Sequence, residues 1–219
     1  MNANSIALRQ RIIDACHEME RSGLNRGTSG NVSCREDDHF LITPSGMPVS
    51  QMHPERIVAM DFSGKVIGDG KPSSEWHFHL DLLKNRPELN AIVHTHSPHA
   101  TALACLREDL PAFHYMIAIA GGDSIRCAPY ALFGTEALSV NAVNAMKDRK
   151  ACLLANHGLI AAGRDLDEAM AVAVEIESLC QQYLMARQTG QPVLLTPADM
   201  QAVIERFRSY GRNANQTAQ

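Results

Sequence analysis

The chain has 219 residues, of which 45% are hydrophobic and 20% are charged, and its formal net charge is −4 at pH 7. These values are typical of a globular protein with one sizeable core, so we expect a single domain. A weakly acidic balance, without a run of lysine and arginine, argues against nucleic-acid binding. No apolar stretch approaches the roughly 20 residues of a membrane span, which argues against a membrane protein.

The six cysteines are dispersed and form no CxxC pair. The first residues lack a basic segment followed by an apolar one, so no signal peptide is expected. Reduced thiols and a cytoplasmic location are therefore the expectation.

The N-terminal third predicts one helix followed by two hairpins. The helix runs from Ser5 to Arg21, because its apolar residues recur at helical spacing, and Ser22-Gly23 ends it. Two antiparallel hairpins follow, turning at Asp37-Asp38 and at Ser63-Gly64. Their strands are predicted at residues 32–35, 40–43, 56–61 and 66–67.

The remainder of the chain mixes helices and strands. A helix begins near Trp76, with Ser73 or Ser74 as its N-cap, and Pro87 stops it. Further helices are predicted at residues 99–107, 135–146, 166–189 and 197–208. Strands are predicted at residues 91–96, 125–128, 151–155 and 159–163, the last two as a hairpin.

The predicted fold class follows from several hairpins and from the absence of regularly alternating strands and helices. We expect an α/β domain whose mostly antiparallel central sheet is covered by helices on both faces. No internal repeat, low-complexity segment or linker divides the chain. The domain is predicted to span residues 1–211, and the polar residues 212–219 are predicted to form a flexible tail.

Two histidines on one predicted strand suggest a metal site. His94 and His96 are two residues apart, so their side chains project from the same face. His157 follows another buried strand and precedes Gly158, which makes it the natural third nitrogen. Glu75, at the start of a predicted helix, is favoured there by the helix dipole and can serve as ligand or base.

Each of these residues also has an ordinary structural interpretation. An H-x-H pair is often incidental, a lone histidine at a strand end is more often structural, and a glutamate at a helix start is common. Their combination is what favours a metalloenzyme. The other histidines nearby are interpreted as structural or supporting residues: His77, His79, His99 and His114.

Three loops of small polar residues form a second group. Backbone N–H groups in glycine-rich turns and hydroxyls at a helix N-terminus can bind an anion. None of the loops matches a P-loop or a dinucleotide fingerprint, and each alone resembles an ordinary turn. The third loop runs directly into Glu75, which would place a phosphate beside the metal. The loop residues are Thr28, Ser29, Gly30 and Asn31; Thr43, Ser45 and Gly46; and Ser73 and Ser74.

Seven segments carry a family resemblance: GTSGNVS (27–33), LITPSG (41–46), PSSEWHFH (72–79), VHTH (93–96), HYMIAIAGG (114–122), CAPYALFGT (127–135) and NHGLIA (156–161). They occur in this order over nearly the whole chain. On these segments the chain resembles the class II aldolase/adducin family. The number of matching segments makes the resemblance specific to the family, but it indicates less clearly which sugar is the substrate.

The resemblance implies a divalent metal ion in each subunit. Zinc is the usual ion in the family, with Mn²⁺ or Co²⁺ as alternatives. The implied ligands are His94, His96 and His157, with Glu75 as a fourth ligand that becomes the acid/base once substrate displaces it.

The resemblance also implies roles for two tyrosines and for the polar loops. Tyr115 would handle the proton on the aldehyde oxygen, and Tyr210 would reach the site from near the C-terminus. The family forms homotetramers with sites between subunits. The implied phosphate-binding residues are Gly30, Asn31, Ser45, Gly46, Ser73 and Ser74.

The implied reaction is the reversible cleavage of a deoxyketose 1-phosphate, such as L-fuculose 1-phosphate, into dihydroxyacetone phosphate and a small aldehyde, such as lactaldehyde. A same-fold sugar-phosphate 4-epimerase or 3-oxo-tetronate-4-phosphate decarboxylase would share the metal and phosphate sites, but the segment around Tyr115 favours an aldolase. A non-catalytic, adducin-like scaffold is disfavoured because Glu75 and the three histidines are all present. These motifs contain no lysine, which argues against a Schiff-base route.

Overall fold

The structure, a computed structural model, describes the backbone of residues 3–214 and the side chains of residues 3–207. Within this part of the chain, eight strands form one sheet. They are β1 (Asn31–Glu36), β2 (His39–Ile42), β3 (Val58–Asp61), β4 (Val66–Ile67), β5 (Ala91–Thr95), β6 (Cys127–Ala128), β7 (Ala151–Leu154) and β8 (Gly158–Gly163).

The strand order is β4-β3-β2-β1-β5-β8-β7-β6. All neighbouring strands are antiparallel except β6 and β7, which are parallel. The predicted mostly antiparallel sheet is therefore confirmed. The parallel pair is a single βαβ unit that was not predicted, and a helix makes its crossover, as parallel neighbours require.

Between residues 3 and 214 there are six α-helices: α1 (Ala3–Arg21), α2 (Trp76–Asn85), α3 (Pro98–Leu106), α4 (Glu136–Ala145), α5 (Leu166–Thr189) and α6 (Pro197–Ala214). Short 3₁₀ turns occupy Val49–Gln51, Pro54–Arg56 and Tyr115–Ala120. None of the helices described between residues 3 and 214 is long and apolar enough to span a membrane.

The sheet separates two hydrophobic cores. Helices α1, α3 and α5 cover one face, and α2 and α4 cover the other. Along β5, Val93 belongs to the first core and Ile92 to the second, because successive side chains point to opposite faces. His94 therefore lies on the α2 face, where its ring meets Phe78 edge-on with centroids 5.5 Å apart.

Several predicted boundaries are wrong. Strand β3 begins at Val58 rather than at residue 56, and β6 begins at Cys127 rather than at residue 125. The N-cap of α2 is Glu75, rather than Ser73 or Ser74, and the Ser73 hydroxyl accepts a hydrogen bond from the Glu75 backbone N–H at 3.3 Å. Helix α6 continues to Ala214, beyond its predicted end at residue 208. Residues 215–219 lie outside the described part of the chain, so the proposed division at residue 211 stays a prediction.

Candidate metal centre and substrate cleft

Three histidines converge at one end of the two central strands. His94 is in β5, His96 follows that strand, and His157 lies in the turn between β7 and β8. One ring nitrogen from each histidine lies within 4.8 Å of the others. The pairing of β5 with β8 brings the turn beside His96, because Thr95 is opposite Leu159. Three imidazoles at this separation can bind one ion.

The turn that carries His157 needs a glycine at its next position. A Cβ at Gly158 would lie 2.3 Å from the Thr95 carbonyl oxygen and 3.1 Å from the His96 ring. The preceding residue, Asn156, has φ of 53°, which asparagine tolerates better than most residues. The close approach of this turn to β5 therefore depends on the absence of a side chain at residue 158.

Glu75 adds a buried carboxylate to the three histidines. Its Oε2 lies 3.2 Å from His94 Nε2, and its Oε1 lies 3.2 Å from His157 Nε2. Only 6% of Glu75 is exposed. The Oε1 atom is buried and accepts no hydrogen bond from any residue in the described part of the chain. A buried carboxylate beside two imidazole nitrogens, with one oxygen that accepts no hydrogen bond in the described chain, fits a divalent cation.

The protonation of these groups suits metal binding. His94 Nδ1 lies 3.0 Å from the Leu159 carbonyl oxygen, so Nδ1 is the donor and Nε2 faces the other imidazoles. Burial, followed by the nearby His94, lowers the pKa of His96 and of His157 to about 4 each. Both rings are thus neutral at pH 7, as a metal ligand must be.

The carboxylate is ionised in the same surroundings. Burial raises the pKa of Glu75, but attraction to the charged form of His94, a hydrogen bond from His94, attraction to the charged form of His157 and a hydrogen bond from Asn31 outweigh burial, so the pKa falls well below its usual value. The Glu75 carboxylate and the ring nitrogens of the three histidines therefore lie close enough together to bind one cation.

The three polar loops open into the same cleft, which has a volume of about 280 Å³. A bridge between Pro44 and Pro72 joins the second loop to the third. Ser45 N–H donates to the Lys71 carbonyl at 3.0 Å, and Ser73 N–H donates to the Thr43 carbonyl at 2.9 Å. The cleft lining includes every predicted phosphate-binding residue, together with Glu75, His96 and His157: Gly30, Asn31, Ser45, Gly46, Ser73 and Ser74.

Asn25, to which the sequence assigned no role, attaches the first polar loop to β5 and the residue that follows it. Asn25 is buried, and its Oδ1 accepts hydrogen bonds from the His96 backbone N–H at 3.3 Å and from the Ser29 hydroxyl at 3.2 Å. A Cβ at Gly30 would lie 2.8 Å from the His94 carbonyl oxygen. Glycine at residue 30 and asparagine at residue 25 therefore hold this loop against β5.

The structure does not place Tyr115 in the cleft beside His96 and His157 of its own chain. Tyr115 is 51% exposed and lines a separate opening with Met116, Arg206 and Phe207. None of these four residues lines the cleft of the described chain. The side chain of Tyr210 lies outside the described residues, so its predicted place stays untested.

Other lining residues came from a segment to which the sequence assigned no role. Tyr130, Ala131 and Phe133 line the cleft, and Tyr130 and Phe133 are exposed. Their loop packs on the third polar loop, because a Cβ at Gly134 would lie 2.8 Å from the Ser74 carbonyl oxygen. In the sequence, the only available sign of this part of the cleft was a pair of aromatic residues between Pro129 and Gly134.

Comparisons with known proteins identify the family of this chain. Residues 10–184 match the family model described as the class II aldolase and adducin N-terminal domain. A 5-methylthioribulose-1-phosphate/5-deoxyribulose-1-phosphate aldolase from Rhodospirillum rubrum is 50% identical over 98% of this chain and 97% of its own. An L-fuculose phosphate aldolase from Haemophilus influenzae is 48% identical over 95% of this chain and 97% of its own.

A solved structure of an L-fuculose 1-phosphate aldolase superimposes with a TM-score of 0.90 at 40% identity, over 95% of this chain and 98% of that one. The matched region of the family model contains Glu75 and all three histidines. The chain therefore belongs to the class II aldolase and adducin family and is a class II, metal-dependent aldehyde-lyase.

Proposed function

We propose that this class II aldolase reversibly cleaves a deoxyketose 1-phosphate into dihydroxyacetone phosphate and a small aldehyde. One observation carries the proposal. Three imidazoles converge beside a buried carboxylate, and Glu75, His96, His157 and three small-residue loops line one cleft. A metal and a phosphate can thus be bound side by side.

The metal is assigned to His94, His96 and His157, with Glu75 as the fourth ligand before substrate arrives. Nitrogen ligands with one carboxylate suit Zn²⁺, and Mn²⁺ or Co²⁺ would also be accepted. When bound, the cation supplies positive charge that stabilises the enediolate formed as the carbon–carbon bond breaks.

The phosphate is assigned to the polar loops. The Ser45 and Ser73 N–H groups are already used between the loops, so their hydroxyls are the available donors. The Ser73 hydroxyl accepts from Glu75 N–H, which leaves its proton free to point at another acceptor. Gly30, Gly46 and Ser74 complete the proposed site with N–H groups and a hydroxyl.

Glu75 is proposed to move the proton at the carbon next to the carbonyl. Its Oε2 is hydrogen-bonded to Asn31 at 2.9 Å, whereas Oε1 is without such a bond in the described chain. In the synthetic direction Oε1 removes a proton from the hydroxymethyl carbon of dihydroxyacetone phosphate. In cleavage the same oxygen returns the proton to that carbon.

Tyr115 is proposed to act in the site of a neighbouring subunit. In synthesis it donates a proton to the aldehyde oxygen, and in cleavage it receives the proton of the C4 hydroxyl. Its exposure, and its position in an opening separate from the cleft of its own chain, support this placement. A homotetramer with sites between subunits is therefore proposed, and Tyr210 is assigned to the same shared site.

The substrate class follows from the cleft and from the relatives. Both curated relatives are named for ketose phosphates, and one name specifies the 1-phosphate of a 5-deoxy or 5-methylthio sugar. Tyr130, Ala131 and Phe133 give the cleft an apolar part that suits an aldehyde ending in a methyl or methylthio group. L-lactaldehyde, acetaldehyde and methylthioacetaldehyde are the expected partners of dihydroxyacetone phosphate.

The test is to incubate the zinc-loaded protein with dihydroxyacetone phosphate and each of these aldehydes. We expect a ketose 1-phosphate to form, the reaction to stop with EDTA and to resume when zinc is restored. Consumption of no aldehyde would contradict the proposal. Parallel assays with L-ribulose 5-phosphate and with a 3-oxo-tetronate 4-phosphate report epimerisation and decarboxylation, and activity there alone would replace it.

A further inference from the structure

A chain of buried hydrogen bonds ends on the Glu75 carboxylate. Ser33 Oγ lies 2.7 Å from His79 Nδ1, and His79 Nε2 lies 2.5 Å from Asn31 Oδ1. Asn31 Nδ2 then donates to Glu75 Oε2 at 2.9 Å. The chain connects β1, which carries Ser33 and Asn31, with α2, which carries His79.

The carboxylate determines the direction of every bond in this chain. An ionised carboxylate only accepts, so Asn31 must turn its NH₂ group towards Glu75. The Asn31 oxygen then faces His79 and needs a donor, so Nε2 of His79 carries the ring proton. His79 Nδ1 is left as an acceptor, and the Ser33 hydroxyl must donate to it.

The residues of this chain of hydrogen bonds are shielded from solvent. His79 and Ser33 are fully buried, and Asn31 is only 5% exposed, so solvent has little access to the chain. The His79 ring stacks on Phe78 with centroids 4.6 Å apart, which restricts its rotation. Burial lowers the pKa of His79 to about 3, in keeping with a neutral ring.

We propose that His79 is a positioning residue for the catalytic carboxylate. By donating from Nε2 to Asn31 Oδ1, it prevents the Asn31 amide from flipping and keeps Nδ2 on Glu75 Oε2. This anchored oxygen leaves Oε1 as the atom that exchanges protons with substrate. The inference rests on the acid/base role of Glu75 in the proposed function.

Loss of the His79 donor has a defined consequence. A flipped Asn31 amide would place its oxygen against the carboxylate, and two acceptors would repel each other. Glu75 would then leave the orientation in which Oε1 lies 3.2 Å from His157 Nε2. The histidines themselves do not depend on this chain, so metal content is expected to stay unchanged and turnover to fall.

Two substitutions of similar size separate positioning from simple packing. In His79→Gln, the amide nitrogen reaches the place of Nε2 and can still donate to Asn31. In His79→Asn, the shorter amide reaches only the place of Nδ1, so it can contact Ser33 but not Asn31. We expect His79→Gln to keep most of its kcat with L-lactaldehyde and dihydroxyacetone phosphate.

His79→Asn is expected to lose about 10- to 100-fold in kcat. This is the value of one hydrogen bond to a charged group, here the bond from Asn31 to Glu75 that the flipped amide would lose. Its KM for dihydroxyacetone phosphate and its zinc stoichiometry should stay close to those of the unmodified enzyme. Equal losses of kcat in the two folded variants would overturn the proposal, because packing alone would then explain them.

A second measurement does not depend on activity. In zinc-loaded protein labelled with ¹⁵N-histidine, the His79 resonances, identified by their loss in His79→Gln, should show a proton on Nε2 and none on Nδ1. A proton on Nδ1 instead would refute the assigned chain, whatever the kcat of either variant. If the enzyme proves inactive with every aldehyde, the proposed function fails while this readout still tests the direction of the hydrogen bonds.

Discussion

His94 donates a hydrogen bond from Nδ1 to the carbonyl oxygen of Leu159, 3.0 Å away on the neighbouring strand. Because a backbone carbonyl only accepts, this bond keeps a proton on Nδ1 and directs Nε2 towards the centre of the site. The sheet thereby orients the ring before any ligand binds. A backbone acceptor behind a histidine is a common feature of metal sites.

His157→Ala should abolish stoichiometric zinc binding. It removes one of three imidazoles, and loss of a direct ligand should cost more than the 10- to 100-fold typical of residues behind the ligands. Elemental analysis of the dialysed protein measures the effect. His17→Ala is the matched control, since His17 is exposed on α1 and should leave zinc content unchanged. Full zinc occupancy in His157→Ala would exclude His157 as a ligand.

Glu75→Gln should keep the metal and lose turnover. The amide preserves the shape of the carboxylate but cannot exchange a proton, and acid–base catalysis is typically worth about 10²- to 10⁴-fold. Steady-state rates and zinc content are measured on the same sample. Glu88→Gln, at an exposed position, serves as the control. A rate within a few-fold of the unmodified enzyme would remove Glu75 from the mechanism.

Zinc should raise the thermal stability of the protein. The proposed ligands come from the N-terminus of α2, from β5 with the residue that follows it, and from the β7–β8 turn, so a bound ion joins three parts of the fold. At about 100 times the Kd, binding contributes about 2.7 kcal/mol, or roughly 5 to 10 °C in Tm for a domain of this size. Calorimetry with and without EDTA measures the shift, which should vanish in His157→Ala.

Mixed oligomers test the shared site. Glu75→Gln and Tyr115→Phe should each have low activity, because each affects every site of its own homo-oligomer. When the two proteins are unfolded, mixed and refolded, some sites should combine an intact Glu75 with an intact Tyr115 from a neighbour. We expect activity that neither variant has alone. If the mixture stays as inactive as its parts, Tyr115 does not act across subunits.

Gly158→Ala should destabilise the fold, because the new methyl group would meet the Thr95 carbonyl oxygen at 2.3 Å. Overpacking of this kind costs about 2 to 3 kcal/mol. Urea unfolding of metal-free protein measures the change. Gly190→Ala is the control, since no atom lies within 4 Å of the added group there, and it should unfold at nearly the same urea concentration.

Much of this fold was predictable from local patterns. The hairpin turns at Asp37-Asp38 and Ser63-Gly64, and the limits of α5, follow from turn residues and helical spacing. The proximity of His94 and His96 follows from the two-residue period of a strand. These features depend on neighbours in the sequence, which is why the sequence reveals them.

Other features depend on contacts that the sequence does not display. The α2 N-cap was misplaced because the bridge between Pro44 and Pro72 holds Ser73 outside the helix. His79 was interpreted as structural or supporting, since a histidine within an apolar helix gives no sign of its partner. Asn31 was predicted to bind phosphate, yet its amide contacts Glu75 and His79, and only the packing of α2 on the sheet shows this.

With the phosphate bound as proposed, the direct succession of Ser73, Ser74 and Glu75 would limit the regiochemistry of the substrate. Consecutive Cα atoms are about 3.8 Å apart, so a phosphate held by these serines must lie close to the carbon that exchanges its proton with Glu75. Only a sugar whose phosphate ester is one or two carbons from the reacting bond meets this condition. The site would thus select substrates by the position of their phosphate before their stereochemistry, and sugars with different distal carbons could share one enzyme.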